Sequence, residues 1–150
     1  MENSERAPSA LHEPPAWIMN VRAILAVVVG FSVFSGGLVG FFALAGRDPH
    51  GHHPVPFLLL SVAVGILYSV LAGYLCVAMI GRAPLGPAIV LAALIVVDAL
   101  VSLEFLPHGS SALPQIATIL IFAPGVVVGG ALRRRGGPGA HAPRRRGLPL

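Results

Sequence analysis

The sequence is poor in charge, has no lysine and holds a single cysteine. Charged residues make up 11% of the 150-residue chain, against roughly a quarter in soluble globular domains. With 55% hydrophobic residues and a mean hydropathy of +0.83, so little charge excludes an ordinary water-soluble fold. Without Lys, the positive charge falls to ten Arg, six of them in the last 18 residues and none inside an apolar run. No broad basic surface remains for nucleic acid, and none is expected as a partner. The lone Cys76 forbids an intramolecular disulfide and any metal pattern built on paired cysteines. It lies in an apolar run and reads as a small buried residue. No glycine-rich phosphate loop, zinc-protease pattern or nucleophile elbow occurs, so the chain reads as non-enzymatic. No His stands inside an apolar run to hold a haem, and no cofactor is expected.

The sequence does contain long apolar runs. Residues 23–45 are 23 positions without a charge, about 34 Å as a helix, which exceeds the roughly 30 Å of a hydrocarbon core. Residues 56–81 and 112–132 also lack charge, while 85–106 carries Asp98 and Glu104. Four membrane spans are therefore expected, at about 21–45, 56–81, 85–106 and 112–132. The first ends in Ala43-Leu44-Ala45, the small-x-small form of a signal-peptidase site. Its apolar run is much longer than the roughly 7–15 residues of a signal core, so a retained span is expected.

Residues 1–16 are polar and proline-rich, a disordered tail, and Trp17 suits a membrane interface where the helical domain, 17–132, begins. Residues 133–150 form a second, Arg-rich disordered tail. The connections are short, so sequential helices are expected to be antiparallel neighbours in an all-α, up-down-up-down four-helix bundle. Pro84, Pro87 and Pro114 stand at helix starts, where the missing N–H costs nothing, whereas Pro124 falls inside the fourth run and should kink it. With four spans the termini share one side, which then holds nine Arg, leaving Arg47 alone on the other. The positive-inside rule places that Arg-rich side, and both termini, in the cytoplasm.

Three stripes of small residues mark candidate packing faces: Ser32, Gly36 and Gly40 in the first run; Ser61, Gly65, Ser69 and Gly73 in the second; Gly125 and Gly129 in the fourth. Helices in lipid associate through close van der Waals contact and hydrogen bonds, and small residues let backbones approach. The stripes fit packing within the bundle, and also fit contact with another subunit.

Asp98 lies 11 residues beyond Pro87, near mid-membrane. An ionised carboxylate there costs about 2.5–3.5 kcal/mol on insertion scales. It is expected to face the bundle interior, be hydrogen-bonded or be protonated, a protonated and hydrogen-bonded side chain being the leading reading and contact with another subunit an alternative; Ser102 lies one turn on, and Tyr68 of the second helix is at similar depth. Glu104 lies some 120° round the helix from Asp98, so the two form no acid/base dyad; it reads as an interface residue.

His50, His52 and His53 in the first loop, with His108 in the third, are of types that ligate zinc, copper or nickel. A solvated His-rich turn is the plainer reading. Arg133, Arg134, Arg135, Arg144, Arg145 and Arg146 form a cationic tail suited to anionic lipid headgroups or an acidic partner.

Three segments carry a family resemblance: Arg22-Ala23 leading into Leu25 and on to Phe31, Gly73-Tyr74 ahead of Ile80-Gly81-Arg82, and Ala123-Pro124-Gly125 running to Gly129-Gly130-Ala131-Leu132-Arg133. Over residues 22–133 the chain resembles small bacterial four-helix integral membrane proteins of uncharacterised function. The resemblance implies a four-helix fold in a bacterial inner membrane and supplies no activity. The expected role is that of a structural or accessory subunit, packing with itself or with other membrane subunits. Proton or ion passage through Asp98 is the alternative, and metal binding at the outer loop a weaker one.

Overall fold

A computed structural model describes residues 16–49, 51, 53–81, 85–105 and 112–136, and all their regular structure is helical. Helix α1 runs Ala16–Leu44, α2 Val55–Ala78 and α3 Gly86–Glu104. Helix α4, Leu113–Ala117, passes through a π-helical segment, Thr118–Phe122, directly into α5, Ala123–Arg135. These last three form one continuous fourth span. All four spans are long and apolar enough to cross a membrane, and the architecture is that of a small multi-pass membrane protein.

The ends differ from expectation by a few residues. Helix α1 starts at Ala16, beside Trp17 where the helical domain is expected to begin, whereas α2 ends at Ala78 instead of 81. Helix α1 closes on Gly46, whose φ of +61° is left-handed. The Gly46 N–H donates to the Ala43 carbonyl and the Arg47 N–H to the Phe42 carbonyl, each at 3.1 Å. This paired 5→2 and 6→1 closure satisfies carbonyls that would otherwise be orphaned at the helix end. At the far end of the chain, Arg133, Arg134 and Arg135 form the last turn of α5 and not the start of a disordered tail. Cations are favourable at a helix C-terminus, and the Arg133 guanidinium also lies 5.7 Å from the centroid of the Tyr74 ring.

The helices alternate in direction, but their neighbour order is not the sequential one. Gly30 and Gly37 of α1 face Cys76 and Tyr68 of α2, an antiparallel pairing. Gly65 of α2 faces Phe122, and Gly73 faces Val126, so α2 and the fourth span run parallel. Gly130 meets Ala88 of α3, and Gly30 meets Leu91. Around the bundle the order is therefore α1, α2, fourth span, α3. Helices α2 and α3, joined by a short link, stand across a diagonal with little contact. The expectation that every sequential pair would be neighbours fails there, because α2's smallest face is covered by the fourth span. The link from Gly81 to Leu85 reaches up to about 14 Å when extended, enough for the diagonal.

The core is made of small residues and a few rings. Ala26, Ala72, Cys76, Leu91 and Val126 are fully buried, with Phe34 and Phe122 nearly so. The two rings meet edge to face, centroids 5.8 Å apart, a preferred aromatic geometry. Cys76 is a buried free thiol facing α1. Proline lacks an N–H, and its ring clashes with the carbonyl four residues back. At Pro124 the helix answers with a wider turn immediately before it, the Ala123 N–H donating to the Thr118 carbonyl five residues earlier. The irregularity expected from Pro124 is thus a π turn, a recognised way for helices to absorb such a break.

Candidate functional site

The small-residue stripes of α2 and the fourth span interlock. A Cβ at Gly65 would strike the Phe122 ring, one at Gly73 the Val126 carbonyl, one at Gly125 the Ser69 hydroxyl, and one at Gly129 the Val70 carbonyl. Two of these four contacts are with backbone, which cannot move aside as a flexible side chain would. Ser61 begins the same stripe, half-buried. Its hydroxyl donates to the Leu58 carbonyl and that of Ser69 to the Ile66 carbonyl, both at 2.8 Å. The hydroxyls are spent within α2, so contact between these helices rests on van der Waals packing.

The stripe of α1 does not pack within the chain. Ser32 and Gly36 are exposed, and Gly36 and Gly40 have nothing within 4 Å of where a Cβ would stand. The face α1 turns inward is Gly30, Phe34 and Gly37, spaced four and three. A Cβ at Gly37 would lie 2.5 Å from the Tyr68 ring and one at Gly30 2.6 Å from Leu91 Cδ2. The sequence pattern named a small-residue face of α1 correctly as a pattern, but the bundle uses another.

Asp98 stands on the exposed face of α3, not in the bundle interior. It shares that side with Val90, Leu94, Val97, Val101 and Phe105, all exposed. Twelve residues after Gly86, it lies about 18 Å along a helix of about 28 Å, six residues short of Glu104. Its Cβ leans toward the helix N-terminus, away from the nearer end. The three residues grouped by depth are not brought together. Tyr68 packs between α1 and α2 against the core. Ser102 is adjacent to Asp98, but its hydroxyl donates to the Asp98 backbone carbonyl at 2.8 Å and not to the carboxylate. Glu104 is exposed at the end of α3.

Of the proposed loop ligands, His53 has its Nε2 2.7 Å from the Asp48 backbone carbonyl, the N–H donating. His50, His52 and His108 lie outside the described residues. Among the described residues no three His, Cys, Asp or Glu side chains gather as metal ligands would. Arg134 and Arg135 are exposed and Arg133 half-buried at the end of α5, while Arg144, Arg145 and Arg146 also lie outside the described residues.

One residue escaped the sequence reading. Gln115, near the start of α4, is 5% exposed, and its Oε1 is buried without a hydrogen-bond partner. A buried acceptor left unpaired costs about 1–3 kcal/mol. A search by charge passes over it, because Gln is neutral and sits in an uncharged run. No family model, curated protein or solved structure matches the chain, so its function is read from these residues alone.

Proposed function

We propose that this chain is a non-enzymatic subunit of a membrane assembly, completed by protein packed against α3 over Asp98. The observation that carries this is the carboxylate on the exposed face of a membrane-spanning helix, amid apolar side chains. Facing lipid, an ionised Asp98 would cost about 2.5–3.5 kcal/mol. A hydrogen-bonding partner on a neighbouring helix removes that cost and makes the contact specific. The open Ser32/Gly36/Gly40 stripe on α1 is a second face suited to close helix contact. The partner is another copy or another membrane subunit. The positive-inside rule supports a cytoplasmic side for the Arg-rich ends.

Native mass spectrometry on protein extracted from its own membranes in mild detergent tests this. A fixed stoichiometry with itself or other subunits is expected, kept by Asp98→Asn, which still hydrogen-bonds, and weakened by Asp98→Leu. A lone monomer would remove the assembly reading. Ion flux in proteoliposomes abolished by Asp98→Asn would instead establish the alternative, a carboxylate that handles protons or cations.

A further inference from the structure

On the other side of the bundle from Asp98, a cavity of about 330 Å3 opens near the α1–α2 loop. Leu38 and Phe42 of α1, Leu58 and Val62 of α2, and Thr118 and Phe122 of the π-helical segment line it. No described residue of α3 does, so this site is independent of the proposed assembly face. Its volume falls at the lower end of the roughly 300–1,000 Å3 of small-molecule sites. The lining runs from Pro114 to Phe122 on the fourth span, about 12 Å along the bundle axis. The cavity is therefore a slot extending into the membrane, with one wall formed by the turn that Pro124 widens.

The lining offers little to a polar guest. Ser61 and Thr118 line it, but their hydroxyls donate to the carbonyls of Leu58 and Pro114, each at 2.8 Å. The His53 Nε2 is held by the Asp48 carbonyl. Among the described residues, the cationic group near it lies beyond its loop end. His53 packs edge-on to Phe57, centroids 4.9 Å apart. The Arg47 guanidinium lies 4.6 Å from the centroid of that same Phe57 ring. Arg47 is exposed at this end of the bundle. An apolar slot with a cation one ring beyond its loop end matches a single amphiphile, hydrocarbon below and anion above.

We propose that this cavity binds one acyl tail of an anionic phospholipid, with Arg47 engaging the phosphate. Arg suits the task because its planar guanidinium donates in parallel to phosphate oxygens.

The test reconstitutes the full chain in vesicles of equal phosphatidylglycerol and phosphatidylcholine, with one lipid at a time carrying a photoreactive acyl tail. Adducts are then located by mass spectrometry. The phosphatidylglycerol probe is expected to label peptides containing residues 38–42, 58–62 and 114–122 several-fold more than the exposed α3 face. Arg47→Gln should bring the two lipids to equal labelling, and Ala117→Phe, which fills the slot, should remove the adducts from a still-helical protein. If that variant fails to fold, Leu58→Trp fills the slot from the opposite wall. Uniform labelling of all faces, equal labelling by both lipids in the unaltered protein, or cross-linking of a second copy through these peptides would each overturn the proposal.

Discussion

Single atoms decide how close α2 and the fourth span approach. The hydrogen of Gly73 faces the Val126 carbonyl and that of Gly129 the Val70 carbonyl, so any larger side chain must push whole backbones apart. Gly73→Val is expected to destabilise the bundle by about 1–3 kcal/mol, the usual cost of overpacking. Gly36→Val, made where a Cβ meets open space, should leave a monomer's stability nearly unchanged. Thermal unfolding of both variants in detergent checks the pair, and an equal loss would mean that α1's stripe also packs within the chain. Gln115 gives a prediction of opposite sign. Because its Oε1 is buried and unpaired, Gln115→Leu should stabilise by about 1–3 kcal/mol. A fall in the unfolding midpoint would show that the amide has a use.

The spans themselves were legible because a hydrocarbon layer of fixed thickness imposes a length and forbids charge, and residues 23–45 or 56–81 satisfy both. Which way each span turns was not. Ser32, Gly36 and Gly40 repeat as regularly as Gly65, Ser69 and Gly73, yet only the second set is covered. Lipid and protein surfaces are equally apolar, so spacing alone cannot separate them. The cost of a carboxylate in lipid favours an inward side chain or a contact with another subunit, and the exposed position of Asp98 overturns only the first. The effect of Pro124 was foreseen as a kink and takes the form of a π turn. Pro124→Ala restores the missing donor, and residues 118–122 should then relax to an ordinary α-helix. The amide of residue 124 should become protected from hydrogen exchange, while persistent fast exchange would mean that packing around Phe122 holds the π turn.

The whole molecule alternates up and down, with its described Arg concentrated at one end apart from Arg47. Reporter fusions that fold only in the cytoplasm should therefore be active at the C-terminus and silent in the 47–54 loop. The reverse pattern would overturn the orientation. The neighbour order α1, α2, fourth span, α3 has a further effect on the sequence of synthesis. Helices α1 and α2 can pair as a hairpin as soon as both have left the ribosome. Helix α3 arrives next but finds its place across the diagonal, leaving the small face of α2 bare. That face is closed only by the last span, which wedges between α2 and α3. A chain that stops short of residue 113 should thus carry three apolar helices and an uncovered Gly65/Ser69/Gly73 groove.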